Sequence, residues 1–109
     1  MLPKRERLTT AKFNQFFRTG RRYHHPLLQL IHTPHPTFHG SVVVGKKVAK
    51  QAATRNRLRR QLYAVLYRFA KGQRPSGVYI VILKPAAATA TAAARRDALE
   101  SVLQRTTDS

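Results

Sequence analysis

The chain has 109 residues, 42% of them apolar, and 21 Lys and Arg stand against 4 Asp and Glu, a formal net charge of +17. That length makes one domain with a single core. No carboxylate lies between Arg7 and Arg96, and there is no cysteine. Within that span this excludes paired-acid glycoside hydrolysis, a two-metal nuclease cluster, an Asp-completed triad, disulfides and thiolate zinc sites.

No apolar run approaches the ~20 residues of a membrane span. The N-terminus also lacks the apolar core of a signal peptide. The expectation is a cytoplasmic domain, without membrane association, whose charge draws it to a polyanion.

Met1–Leu8 reads as a flexible basic arm. Thr9 or Thr10 can cap a first helix running to about Thr19, with Gly20 as its stop. Phe13 and Phe17 share a face of it at spacing four, with Phe16 beside them. Core packing accounts for at least one of these rings; another is free to line a groove where bases stack. After the basic entry Arg21–His25, residues Leu27–Thr33 read as a strand. Its faces are Leu28, Leu30 and His32 on one side and Leu27, Gln29 and Ile31 on the other. Pro34 and Pro36 make a turn, and Phe38–Gly45 is a second strand, pairing with the first as an antiparallel hairpin. Val42–Val44, apolar on both sides, should be central and buried.

The segment Lys46–Arg60 carries seven Lys or Arg in fifteen residues and no acid. It reads as a basic link, with room for a short strand at Lys46–Lys50, followed by the start of a helix. From Arg55, the apolar residues Leu58, Leu62, Val65, Leu66 and Phe69 form the stripe of a helix packed on a sheet. Asn56, Arg60, Tyr63 and Tyr67 run down another flank. Lys71–Gly77 ends that helix, and the unbroken apolar run Val78–Leu83 is a buried strand. Ala86–Thr91 is a loop, and Thr89 or Thr91 caps a last helix to about Gln104. Its apolar side is Ala94 or Arg95, then Ala98, Leu99, Val102 and Leu103. Asp97, Glu100 and Asp108 turn this helix away from the polyanion. The sum is an α+β class domain in the order α-β-β-(β)-α-β-α, with helices on one face of a small mixed sheet.

Gly40–Lys47 has glycines spaced like a phosphate-cradling loop. Three valines inside it favour a strand, and Lys47 stands where a Mg²⁺-binding hydroxyl belongs. His24, His25, His32, His35 and His39 include ligand-like spacings. Two prolines interrupt them and no carboxylate or thiolate is near, so solvated histidines and no metal site are expected. The arginines at 55–60 are more telling. Positive charge at a helix N-terminus opposes the macrodipole, where Asp or Glu would stabilise. Phosphate contacts explain them: Arg forks bind phosphate bidentately, and Asn56 can reach sugar or base edges.

Lys46-Lys47-Val48, a connection to Thr54, and Arg55-Asn56-Arg57-Leu58-Arg59-Arg60 together resemble the signature of the bacterial ribonuclease P protein subunit. The Leu2-Pro3-Lys4…Arg7-Leu8 start, Phe13-x-x-x-Phe17-x-x-Gly20, the strand Val78–Leu83 with Lys84, and the Ala-rich last helix agree in order. The resemblance implies a single-domain α/β sandwich with a left-handed β-α-β crossover through the basic link. It implies a non-catalytic subunit of a ribonucleoprotein endoribonuclease, in which a catalytic RNA with bound Mg²⁺ removes the 5′ leader of precursor tRNA. The protein is then a monomer in a 1:1 particle, with no organic cofactor and no catalytic residue of its own. By position, Lys46, Lys47, Arg55, Asn56, Arg57, Arg59 and Arg60 contact the RNA, with Lys50 in the same basic stretch. Phe13 and Phe17 match the aromatic positions of a leader-binding cleft. A further aromatic of its first strand falls here on Ile31, and a helix arginine of some members falls on Tyr63. The rival expectation is a basic structural protein bound to ribosomal RNA. A protein-only nuclease, for which only His24 and His25 are available, is a third.

Overall fold

The computed structural model of the protein describes residues 10–108, so the expected basic arm at 1–8 lies outside them. The elements are α1 (Thr10–Thr19), β1 (Arg21–His24), β2 (Leu28–Thr33), β3 (Phe38–Val43), α2 (Ala52–Gln73), β4 (Gly77–Leu83) and α3 (Ala92–Asp108), with a 3₁₀ turn at Pro85–Thr89. The four strands form one mixed sheet in the order β1-β2-β4-β3.

Strand β4 sets that order. Its side chains are buried on both faces along almost the whole run, which requires a neighbour on each edge and a layer on each side. It pairs antiparallel with β2, Leu30 opposite Val81, and parallel with β3, Val42 opposite Val81. The expected β2–β3 hairpin therefore does not form, because β4 lies between the two. Strand β3 is an edge strand and not a central one. With Gly40, Ser41 and His39 it is less apolar than β4, which takes the interior.

The residues expected to be only a basic entry form strand β1. It pairs antiparallel with β2, Tyr23 opposite Leu30. Only Tyr23 of its four residues is buried, so four residues dominated by Arg and His carry no visible alternation. The tight connection is held by His25, whose main-chain N–H donates to the Leu28 carbonyl (2.9 Å) and whose Nδ1 accepts the Leu27 N–H (3.0 Å).

Helices cover both faces, not one. Leu58, Leu62, Val65 and Leu66 of α2 and Ala98, Leu99, Val102 and Leu103 of α3 pack with Leu28, Leu30, Val42, Val81 and Leu83 in the main core. On the opposite face Phe13 and Phe16 of α1 pack on Ile31, Val78 and Ile80. Close approach requires glycine at Gly20, just past α1, where a Cβ would come within 2.3 Å of Ile31 Cγ2.

Helix α2 is longer than expected at both ends, because the alanines before Arg55 and Gly72 after Phe69 are tolerated in it. Residues Lys46–Val48 form a turn closed by Val48 N–H to the Gly45 carbonyl (3.1 Å), and no extra strand forms there. Thr91 caps α3, its hydroxyl oxygen accepting the Ala94 N–H at 3.0 Å.

Arg95 is only 8% exposed. Its guanidinium donates to the Ala87 and Ala90 carbonyls (3.1 and 2.6 Å) and to Gln61 Oε1 (3.0 Å). One cation thus fastens the 3₁₀ turn and α3 to α2. Burial, and secondarily the charge of Arg57, lowers its pKa from the usual arginine value.

His32 stacks on Tyr79 with ring centroids 4.6 Å apart. Burial pushes its pKa below the ordinary 6.5. A group depressed on folding contributes stability that is complete above its unfolded value and is lost as pH falls towards the folded one. His32→Phe keeps a ring on Tyr79 and removes the titration. Its urea midpoint is expected to fall less than the wild type's between roughly pH 7 and pH 5; equal slopes would contradict this role.

Candidate nucleic-acid interface

Parallel β3 and β4 end on the same side of the sheet. The link Lys46–Gln51 and the first turns of α2 therefore gather there, together with Lys84 just beyond β4. Lys46, Lys47, Lys50, Asn56, Arg57 and Arg60 are exposed; Arg55 and Arg59 are half-buried. Among the described residues, none of these cations has an acidic partner. The ion pairs are Arg68–Glu100, Arg96–Glu100 and Arg96–Asp97, at 3.9–4.0 Å, all on the α2–α3 side. Helix α2 also has no acid in its first turn and no side-chain cap at Gln51. Its N–H groups and seven nearby cations leave strong positive potential at this end.

The basic residues do not all face one way. Arg55 turns back on the link, donating from Nη1 to the Ala49 and Lys50 carbonyls (2.9 and 2.7 Å). It shapes the loop that presents Lys46, Lys47 and Lys50. Arg59 Nη2 donates to Asn56 Oδ1, so these two form a joined pair. At about 100° per residue, Arg55, Asn56, Arg59 and Tyr63 lie on the flank towards β3, where Tyr63 Oη accepts the Val42 N–H (3.2 Å). Arg57 lies on the α3 side, close enough to act on Arg95, and Arg60 points outward.

The other face of the sheet, beside α1, carries the residues expected to form a cleft. Phe17 is 37% exposed, and Phe13 is half-buried with its ring 5.7 Å from that of Phe17. The Arg22 guanidinium lies 5.0 Å from the Phe17 centroid and donates to the Phe17 carbonyl at 2.9 Å. Ile31, named with these rings from the sequence, is fully buried under α1. It supports the floor of the cleft without lining it, because Phe13, Phe16 and Gly20 close over it. Half-buried Gln29, Ser41, Val43 and Ile82 are on the same face by register.

The structure adds Arg22 and Lys84 to the candidates, Lys84 having a place in the sequence only as the residue after the apolar strand. Arg22 was visible as half of a basic pair; that it would lie against Phe17 depended on the unrecognised β1. The histidines divide: His35 and His39 lie together, ring centroids 5.1 Å apart, with His35 edge-on to Phe16 at 5.8 Å. His32 is on the opposite face, and His24 and His25 are at the far end of β1. No group of three or more metal-ligating side chains forms among the described residues. No described helix is long and apolar enough to cross a membrane.

The sequence model of the family described as Ribonuclease P matches residues 2–107. The chain belongs to the ribonuclease P protein family. It is 35% identical over 94 residues to the ribonuclease P protein component of Microcystis aeruginosa, covering 79% of this chain and 78% of the relative. The ribonuclease P protein of Staphylococcus aureus superposes with a TM-score of 0.83 at 21% identity, over 93% of this chain and 94% of that one. The Thermotoga maritima protein gives 0.76 at 21% identity, over 92% and 96%. A ribonuclease P protein is a component of a ribonucleoprotein endoribonuclease of tRNA processing, and its partner is ribonuclease P RNA. The α+β sandwich with its four-stranded mixed sheet and three helices is the fold of this family.

Tyr63 joins α2 to the edge strand through its bond with Val42. Tyr63→Phe removes the acceptor for the Val42 N–H and is expected to destabilise by about 0.5–1.5 kcal/mol. Urea denaturation measures this, and an unshifted midpoint would show the bond to be immaterial.

Proposed function

We propose that this chain binds ribonuclease P RNA through Lys46, Lys47, Lys50, Asn56, Arg57, Arg59 and Arg60, with Arg55 bracing the link. In the same reading, the cleft of Phe13 and Phe17 over Ile31 receives the 5′ leader of precursor tRNA. The observation that carries this is the separation of charge: the cations at the sheet end have no described acidic partner, while the ion pairs lie on the α2–α3 side. Such a surface meets phosphates without first breaking internal ion pairs, releasing counterions from the RNA. Phe17, exposed beside the Arg22 guanidinium, offers a ring face to an unpaired base. The particle is a cytoplasmic 1:1 ribonucleoprotein with one protein chain.

The described interface presents ammonium, guanidinium and amide groups but no carboxylate, a donor set that does not fit Mg²⁺. The ion belongs to the RNA in this reading. The protein offsets phosphate repulsion, so that the RNA and the leader approach each other at lower Mg²⁺.

Reconstitution tests this. Adding the protein to a bacterial ribonuclease P RNA is expected to activate precursor-tRNA cleavage at low Mg²⁺, with neither component active alone. Tight RNA binding without activation would reject the assignment. Arg57→Ala is expected to weaken RNA binding and reduce the slope of log K against log salt by roughly 0.7–0.9. An unchanged slope would remove Arg57 from the interface.

A further inference from the structure

We infer that the far half of α2 carries a second contact for the same RNA, in which an unpaired base stacks on Tyr67 and Lys71 and Arg74 hold the adjoining phosphates. The inference rests on the RNA-binding reading above and extends it by about 20 Å along the helix, at 1.5 Å per residue from Arg60.

Two independent observations support it. Tyr67 is 36% exposed, and with Phe17 it makes up the large apolar side chains most open to solvent among the described residues. Lys71, one turn on, places Nζ 5.4 Å from the Tyr67 centroid. An exposed ring with a cation over it offers a nucleotide a surface for its base and a charge for its phosphate.

The second observation is an exposed, unpartnered cation at a position that favours glycine. Arg74 ends α2 at φ 48°, ψ 52°, and is the one non-glycine residue with positive φ among those described. Glycine is the usual occupant of that position, since a Cβ there is disfavoured. The Arg74 side chain is exposed and makes no hydrogen bond or ion pair among the described residues. The Arg74 N–H closes the helix on the Ala70 carbonyl at 3.2 Å, a bond that glycine would make as well, so the backbone accounts for the cap and the unpartnered guanidinium is left for a use outside the fold.

Charge also selects the occupant. Glu100 holds Arg68 on the α3 side of α2, leaving Arg60, Lys71 and Arg74 as the uncompensated cations of the outer strip. The strip faces away from the sheet, while the Phe13–Phe17 cleft lies on the sheet's opposite face. The leader in that cleft and the RNA along α2 are therefore different strands, and the outer strip takes the ribonuclease P RNA.

The test measures binding of the full chain to ribonuclease P RNA, without precursor tRNA, as a function of salt, with urea midpoints measured in parallel. Arg74→Gly removes the charge and the disfavoured Cβ, so its midpoint is expected to rise. Its RNA affinity should nevertheless fall several-fold, with the salt slope lower by roughly 0.7–0.9. Tyr67→Ala should weaken binding about tenfold while Tyr67→Phe retains it. Wild-type affinity and slope in Arg74→Gly, or wild-type affinity in Tyr67→Ala, overturns the proposal. If Arg57→Ala weakens binding while these two variants do not, only this inference fails. No binding by the wild-type chain overturns both readings.

Discussion

Strand β4 can be accommodated only if it is covered on both faces and paired on both edges. Val78, Ile80 and Ile82 point to one side and Tyr79, Val81 and Leu83 to the other. Once α1 lies over the first set and α2 with α3 over the second, the molecule has two outer surfaces separated by the sheet. Phe13, Phe16 and Phe17 are on one and the basic helix on the other. The partner strands are settled by the same demand. Parallel pairing of β3 with β4 obliges the chain to cross over between them, and the crossover is the basic link with α2. The cations reach the end of the sheet because β3 pairs with β4 in parallel.

Charge is distributed to leave that end uncompensated. The carboxylates of Asp97 and Glu100 are placed on α3 and meet Arg68 and Arg96. Such exposed pairs contribute at most about 1 kcal/mol each, so their larger effect is on where positive potential remains. Arg95 extends the pattern into the interior. Its Nη atoms are held by two carbonyls and a glutamine oxygen, and so it fastens α3 without drawing a carboxylate towards the basic end of the sheet. A guanidinium held by carbonyls recurs at Arg55 and Arg22, which shape the link and the cleft. Several arginines that look from the sequence like ligands for RNA are thus partly employed in building the surface that the others present.

Legible in the sequence were the elements with a strong period and the concentration of cations in one acid-free segment. The stripe Leu58–Phe69, the run Val78–Leu83, the α1 phenylalanines and the acid-free basic segment are local patterns, and they led to the right helices, the right buried strand and the family. Tertiary structure alone decided which strands are neighbours. β2 and β3 are consecutive and turn-linked, yet the more apolar β4 displaces β3 to the edge, a competition between distant segments that no local pattern records. It also decided that four residues rich in Arg and His become β1, because β2 offered a free edge and the core a place for Tyr23. Ile31, an ordinary strand residue in the sequence, became floor beneath the cleft for the same reason. Burial depends on what another part of the chain lays over a residue, and that is fixed only when the whole core closes.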